Sequence, residues 1–564
     1  MISETREREA RRYFLGEKTI VLDLAEQISV EATARVMALA QALEQVANGE
    51  PGIEEVQPTY TGVAVHFDPA LVSPSYVSAL MDKSLDFLGG EAARRTTRDS
   101  NAGAADGAPR EVPVLYGGDA GPDLRESAQK LGLDAGELIR RHSEREYLVH
   151  MIGFTPGFPY LGTLDPSIRL PRLETPRKSV PAGSVGIARE QTGIYSIPAP
   201  GGWRIIGRTP LTLFAPERDK PFLFEPGMRV KFRPVTDEEF RRLEAEEINR
   251  AGRRAQASSL DNAVPALMVR EPGFFSTIQD LGRRGFRKYG VPLSGAVDPL
   301  SLVCANLLVG NPPGAAGIEM TYSGAAFSAL IDIAVAVTGA PAQVSIDGHP
   351  AAMETPLLLR RSSVLEIEGS LRGARTYLAV AGGIRTPVSL RSRSTYVRAS
   401  LGGFCGRSLR EGDVLEAGPH PAPPWMASKS PERRTPFPAA GEEVTVRVLP
   451  GPEPAISGEI LQKLTSAPYR VSPSSDRMAL QLDGPTLVSG KTDIISGAVV
   501  PGVIQVASDG LPMVLLADGQ TTGGYWRIAS VVSADLPVLG QVRPGTLLKF
   551  RVVDYEFALR CLRG

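Results

Sequence analysis

Two stretches far apart in the chain carry the same ordered motifs, and a chain written that way has to build the same unit twice. The first runs Val180-Pro181-Ala182-Gly183, then Gly201-Gly202-Trp203-Arg204-Ile205-Ile206, then Pro226-Gly227-Met228-Arg229-Val230-Lys231-Phe232-Arg233 and Glu239-Phe240. The second runs Val500-Pro501-Gly502, then Gly523-Gly524-Tyr525-Trp526-Arg527-Ile528, then Pro544-Gly545-Thr546-Leu547-Leu548-Lys549-Phe550-Arg551 and Glu556-Phe557. The spacing from Pro-Gly to Lys-Phe-Arg is the same in both. Each copy alternates short apolar runs with Gly and Pro, which predicts short antiparallel strands joined by tight turns. The Lys-Phe-Arg strand alternates polar and apolar residues, as a half-buried strand does. Gly382-Gly383 with Arg410-Glu411-Gly412-Asp413-Val414-Leu415 is a more worn match and a candidate third copy.

The remaining chain frames these units. Thr19-Ile20-Val21-Leu22-Asp23 reads as a strand, and 28–48 as a helix with Val36, Leu39, Ala40 and Leu43 on one face. Val56 to Phe67 reads as a strand pair, and 73–88 as a second helix capped by Ser73. This order predicts a small α/β domain over 1–95 with both helices on one sheet face. Three β domains are then expected, over 108–240, 264–418 and 440–564. Linkers are expected at 91–110 and 419–438, and the main division of the chain near 237–262. Helices are expected over 122–141 and 299–309, the second capped by Asp298. The fold class is therefore mainly β with a small α/β N-terminal domain.

Composition excludes several function classes. Lys and Arg number 62 against 63 Asp and Glu, interspersed, so no footprint for nucleic acid or an anionic membrane is present. No apolar run approaches the ~20 residues of a membrane helix, and the charged start Met1-Ile2-Ser3-Glu4-Thr5-Arg6 lacks a secretory core. Three scattered cysteines, Cys304, Cys405 and Cys561, point to a reducing, cytoplasmic setting without a disulfide framework or thiolate metal site. The five histidines, His66, His142, His150, His349 and His420, are too dispersed for a three-histidine site, and structural or solvent-facing roles are expected for His142 and His150. Gly490-Lys491-Thr492 has the wrong spacing from Gly484 for a phosphate loop, and Asp493-Ile494-Ile495-Ser496-Gly497 after it reads as strand rather than helix.

Three clusters set polar groups among glycines, where backbone can approach a ligand. The first is Gln191-Thr192-Gly193-Ile194-Tyr195 with Gly201-Gly202-Trp203-Arg204, an arginine beside an aromatic wall that suits a carboxylate or phosphate. The second joins Thr277-Ile278-Gln279-Asp280-Leu281-Gly282-Arg283-Arg284-Gly285 to Tyr289-Gly290-Val291-Pro292-Leu293-Ser294 and Asp298. The third is Gln505 with Asp518-Gly519-Gln520-Thr521-Thr522-Gly523-Gly524-Tyr525. The run Arg391-Ser392-Arg393-Ser394-Thr395-Tyr396 adds a basic, hydroxyl-rich loop. Composition alone leaves each open between turn chemistry and a ligand site.

Met151-Ile152-Gly153-Phe154, Pro159-Tyr160-Leu161-Gly162, Val180-Pro181-Ala182-Gly183-Ser184-Val185-Gly186 and Gln191-Thr192-Gly193-Ile194-Tyr195 resemble the KipI and allophanate-hydrolase-subunit-one family. Thr277-Ile278-Gln279-Asp280-Leu281-Gly282-Arg283, Ala381-Gly382-Gly383-Ile384, Ser392-Arg393-Ser394-Thr395-Tyr396 and Gln520-Thr521-Thr522-Gly523-Gly524-Tyr525 resemble the KipA and subunit-two family. The resemblance covers nearly the whole chain and reads as a fusion of two usually separate proteins. It implies several cyclophilin-like β-barrel domains. It also implies the B and C components of ATP-dependent 5-oxoprolinase. These act on a small-molecule substrate with a separate A component of the lactam-utilisation type, are inactive without it, and are expected to form a homo-oligomer. ATP, with or without Mg²⁺, is the implied cofactor. No Met-Lys-Met is present to carry covalent biotin, so a carboxyltransferase acting in trans on urea or another amide is the first alternative. A regulatory protein of the histidine-kinase-inhibitor type is the second.

On matching positions, the resemblance makes Arg204, Gln279, Asp280 and Arg283 the catalytic candidates, with Arg204 or Arg283 on the substrate carboxylate. It makes Gln191, Tyr195, Gly201, Gly202, Trp203, Tyr289, Ser294, Arg393, Ser394, Gln505, Asp518, Gln520, Thr521, Thr522 and Tyr525 candidates for substrate or nucleotide contacts. No metal ligand and no nucleophile can be named.

Overall fold

In the computed structural model, residues 10–95, 108–252, 262–369, 371–419, 435–453, 458–488, 490 and 493–563 are described. Most of the expected linkers, and His420, Lys491 and Thr492, lie outside the described residues.

The first unit is a four-stranded antiparallel sheet in the order Arg11–Phe14, Thr19–Asp23, Gly62–Phe67, Ile53–Pro58, with helices Val30–Ala47 and Pro74–Arg95. Ser29 Oγ accepts from the Ala32 amide at 3.0 Å and starts the first helix. Ser73 Oγ accepts from the Tyr76 amide at 3.2 Å and starts the second. Ile20, Leu22, Val63 and Val65 face these helices. Val21 and Ala64, on the opposite face, pack on Ala479, Ala498, Val503 and Leu515 of the last β unit. A sheet covered on both sides explains why its central strands are continuous apolar runs rather than alternating ones.

The two repeat copies form two closed barrels of the same topology. Ring order in the first is Gln191–Ile194, Pro159–Gly162, Glu146–Ile152, Arg229–Pro234, Arg110–Tyr116, Arg204–Arg208, Ser184–Ala188. In the second it is Pro512–Leu515, Ala479–Asp483, Tyr469–Val471, Leu547–Val552, Glu443–Pro450, Thr522–Val531, Val503–Val506, and a pairing of Glu443–Pro450 with Thr522–Val531 closes the ring. In both, the repeated Lys-Phe-Arg strand lies parallel to the strand that opens the unit. Phe232 pairs with Val112 in one and Phe550 with Val446 in the other. Both also bulge at the same motif position, Ile206 and Ile528. Trp203 therefore corresponds to Tyr525, while the tryptophan–arginine pair of the second copy is displaced by one residue and its side chains face the other way.

The middle unit is built differently. A seven-stranded and a five-stranded sheet share one core that includes Leu267, Phe327, Val335 and Leu378. Its closing strand Val414–Ala417 runs antiparallel to the opening strand Val264–Glu271. The candidate third copy is thus not a copy of the barrel, because the parallel closing pair is missing. The helix expected over 122–141 is two, Leu124–Lys130 and Ala135–Ser143. Gly132, at φ +68°, ends the first turn of chain and Asp134 Oδ1 caps the next helix at 2.9 Å from the Glu137 amide. The helix Pro299–Leu308 is capped by Asp298, as its sequence predicts. Among the described residues no helix is long and apolar enough to cross a membrane.

Buried charge locks the units together. Arg477 of the second barrel bonds Asp518 at 2.9 Å, the Gly295 carbonyl at 2.7 Å and Glu319 of the middle unit. Burial disfavours the charged Arg477, but the two carboxylates outweigh it and its pKa is raised. Removing one partner of such a set strands the others without water, at a cost of about 3–5 kcal/mol. Arg477→Ala is expected to lower the unfolding free energy by about that amount in urea titrations, whereas loss of an exposed pair such as Arg360–Asp332 should change it by less than about 1 kcal/mol.

Candidate functional site

The double-glycine segments of both copies converge on one cleft between the barrels, with a volume of about 710 Å³. Gly201, Gly202 and Trp203 form one wall, and Gly523, Gly524 and Tyr525 part of the other. The chain comes close to neighbouring side chains at a glycine on both sides. A Cβ on Gly201 would stand 2.0 Å from Tyr195 Oη, and one on Gly523 2.6 Å from Gln505 Nε2. The turn cluster at 151–162 docks on the second barrel at the same place, where a Cβ on Gly153 would lie 2.3 Å from Thr522 Oγ1. A smaller cavity of about 390 Å³ adjoins the cleft and shares Tyr160, Arg172, Trp203 and Ser496 with it.

The cleft is aromatic and cationic. Phe158 stands edge-on to Tyr195 at 5.3 Å and to Trp203 at 5.6 Å, fixing the aromatic wall. Burial raises the Tyr195 phenol to about 12 and also raises Tyr60 and Tyr160, while the Arg172 guanidinium near all three opposes that shift. Arg172 is exposed and has no hydrogen-bond or ion-pair partner among the described residues. Arg189 pairs with Asp493 across the cleft at 3.3 Å, and Arg398 with Asp476 at 3.8 Å, both in solvent and therefore weak. A cation in front of aromatic faces suits a planar ligand with a carboxylate or phosphate. Among the described residues no cluster of three His, Cys, Asp or Glu could hold a metal ion.

His150 closes the smaller cavity from below. Its Nδ1 lies 2.6 Å from Thr33 Oγ1. The same hydroxyl lies 3.0 Å from the Ser29 carbonyl, so Thr33 links the start of its helix to the imidazole. Nε2 is buried against Gly162 and has no hydrogen-bond partner among the described residues. Burial lowers the imidazole to about 4.

The sequence candidates separate into three groups. Tyr195, Gly201, Gly202, Trp203, Gln520, Thr522 and Tyr525 line the cleft, and Gln191 lines the smaller cavity, where its Nε2 donates to Tyr60 Oη at 2.7 Å. A second group supports it from behind. Gln505 Oε1 accepts from Gln520 Nε2 at 3.1 Å, Asp518 is held by Arg477, and Thr521 Oγ1 donates to the Arg287 carbonyl at 3.0 Å.

The third group does not face the cleft. Arg204 is buried against the Pro171 carbonyl at 3.2 Å and Glu126 at 3.3 Å, because its strand directs it away from the Trp203 side. Asp280 binds the Arg393 amide at 2.6 Å, the Gly282 amide and Ser392 Oγ at 2.8 Å, and Ser394 Oγ, so it clamps a loop. Gln279 donates to Thr277 Oγ1 at 2.9 Å and the Thr395 carbonyl at 3.2 Å. Arg283 is fully buried on the Ser394 carbonyl, and burial lowers it to about 10. Ser294 donates its amide to the Ala517 carbonyl at 2.8 Å. Tyr289 stacks on Phe222 at 4.2 Å in an interface core. An arginine already paired with carboxylate or carbonyl inside the fold cannot also be the free anion receptor of the cleft. Sequence reasoning missed Arg172, Tyr160 and His150 as lining residues. The dense turn cluster before the first copy was the available signal for Tyr160; nothing in the sequence marked Arg172.

The buried histidines give a pH prediction. His66, His142 and His150 are all lowered from the ordinary 6.5 by burial, His142 to about 3. The unfolded chain therefore takes up protons first, and stability present above pH 6.5 is lost as pH falls toward these folded values. Their imidazole NMR signals are expected to show no titration step between about pH 8 and 5.5.

Two family models cover most of the chain: carboxyltransferase domain, subdomain C and D, over residues 10–224, and carboxyltransferase domain, subdomain A and B, over 289–552. The B component of 5-oxoprolinase from Escherichia coli O157:H7 is 40% identical over 225 residues, 40% of this chain and 96% of the relative. The C component of 5-oxoprolinase from Escherichia coli K12 is 35% identical over 301 residues, 52% of this chain and 93% of the relative. The crystal structure of TTHA0988 matches with a TM-score of 0.78 and 33% identity, covering 96% of this chain and 100% of that one.

Proposed function

We propose, from the premise that this chain belongs to the carboxyltransferase-domain family of the 5-oxoprolinase B and C components and joins a B-like half to a C-like half, that it binds 5-oxoproline for ATP-dependent ring opening to glutamate with a separate A component. One observation carries this reading. The cleft is walled by Trp203 from the B-like half and by Tyr525 from the C-like half, so neither half alone contains the site. A fusion keeps the two walls at one concentration and register.

Arg172 holds the substrate carboxylate in this reading, replacing Arg204 and Arg283 in that role. The ring lies against Tyr160 and Trp203, and the hydroxyl and amide groups of Thr522 and Gln520 face it from the second barrel. The arginine–carboxylate contact is charge-assisted, and the aromatic faces give the ring an apolar wall. ATP supplies a phosphoryl group that makes the lactam carbonyl a better electrophile. The three cleft arginines suit phosphate in charge, but the described residues offer no carboxylate cluster for Mg²⁺, so a metal would be held by phosphates or by the A component.

The test is glutamate release from 5-oxoproline by this chain plus the A component, with and without ATP. Glutamate should form only when both proteins and ATP are present. Arg172→Ala is expected to raise KM for 5-oxoproline about ten- to hundredfold, the loss of one charge-assisted contact, with an unchanged melting temperature. Arg204→Ala should do the reverse, lowering the melting temperature and leaving KM alone. The family models' own description favours carboxyl transfer as the second reading. It would gain if the two proteins associate without releasing glutamate and a carboxylated biotin carrier plus urea gives product instead.

A further inference from the structure

The cleft is larger than the lactam it is read to bind, and it has a cation at each end. Clefts of roughly 300–1,000 Å³ enclose drug-sized ligands, so a five-membered ring with one carboxylate leaves most of the cleft of about 710 Å³ unfilled. Tyr160, Arg172 and Trp203 are shared with the smaller cavity, which places them at one end. Tyr396, Arg398, Met478 and Gln520 line the cleft alone. Arg398 comes from the middle unit, on the single helical turn Val397–Ala399. The Tyr396 amide donates to the Leu401 carbonyl at 2.8 Å and the Leu401 amide to the Tyr396 carbonyl at 3.1 Å, which closes the base of that turn. Tyr396 and Leu401 are buried with Ile197 and Phe214 of the first barrel. The backbone is therefore anchored, while the guanidinium at its tip is half exposed. Arg398 makes no hydrogen bond among the described residues, and its ion pair with Asp476 at 3.8 Å lies in solvent and is weak. An arginine held on a fixed turn with its fork of donors free suits phosphate, which accepts from two of them at once. Tyr525 and Met478, both partly exposed, offer apolar surface for a base on the same wall.

We propose that the Arg398 end of the cleft receives the phosphate chain of a nucleoside triphosphate, so that this chain binds ATP without the A component and beside the lactam held by Arg172. The inference rests on the 5-oxoproline reading and deepens it. Three units then supply the site, with Arg172 from the first barrel, Tyr525 from the second and Arg398 from the middle unit. Arg398 is a binding residue in this scheme and takes no part in proton transfer.

The deciding measurement is calorimetric titration of the whole chain, without the A component, with the non-hydrolysable analogue β,γ-imido-ATP and Mg²⁺, with adenosine, and separately with 5-oxoproline. The wild-type chain is expected to bind the analogue at least about tenfold more tightly than adenosine, since adenosine lacks the group that Arg398 would hold. Arg398→Ala is expected to weaken the analogue about ten- to hundredfold, with unchanged affinity for 5-oxoproline and an unchanged melting temperature. Binding of 5-oxoproline but not of the analogue would overturn the inference and leave the 5-oxoproline reading intact. Binding of neither would overturn both. Equal affinity of the wild-type chain for the analogue and adenosine, or full affinity for the analogue in a folded Arg398→Ala chain, would also sink the proposal. Because the comparison with adenosine needs no substitution, it decides the role of the phosphates even if that variant does not fold.

Discussion

Everything at the cleft depends on how each barrel is closed. In both, the strand that opens the unit pairs in parallel with the Lys-Phe-Arg strand that ends it, Arg110–Tyr116 with Arg229–Pro234 and Glu443–Pro450 with Leu547–Val552. A parallel pair of this kind needs the whole intervening chain as its crossover, so its entropic cost is met only when the interior is filled. The filling is matched in the two barrels. Val230 pairs with Tyr147 and Leu548 with Tyr469, and both tyrosines are fully buried. With the ring closed, the bulges at Ile206 and Ile528 set which side chains of the double-glycine strand turn outward.

Closure alone leaves two barrels with partly open flanks. The N-terminal sheet fills the space between them: one face carries its own helices, and the other carries Tyr13, Val21 and Ala64 against the second barrel. The same unit reaches the first barrel through Thr33 and His150, and the middle unit through the Glu55–Arg287 pair at 3.1 Å, both partners buried. Arg477 ties the middle unit to the second barrel through Glu319 and Asp518. A cleft shared by two barrels can be stiff only if their relative position is fixed elsewhere, and these desolvated contacts fix it.

Much of the architecture was legible in the chain. The repeat, the α/β start, the Asp298 and Ser73 caps and the Gly-Gly-aromatic segments all rest on local rules of turn, cap and period, which act over a few residues. The errors were of another kind. The helix expected over 122–141 missed the break at Gly132, because the apolar spacing of Leu131 and Leu138 runs across it. The worn third match shares the glycines of a barrel but not its parallel closure, a feature that no local motif encodes. Arg204 and Arg283 look like receptors in sequence because an arginine beside glycine and aromatics is the right chemistry. Which way each points, and whether it is already paired, is decided by strand direction and by residues far away.

The amino-acid sequence by itself determined that the chain makes two like β units, an α/β start and a set of glycine-flanked polar segments, since periodicity, turn residues and repeat order are written residue by residue. Only the tertiary structure decided that the first and third segments share one cleft while the second became a buried clamp around Asp280. It alone left Arg172 without a partner among the described residues and buried His150 against Thr33. Those properties arise from burial and from partners such as Thr33, Glu126 and Ser394, which lie far along the chain and meet these groups only when the barrels have closed.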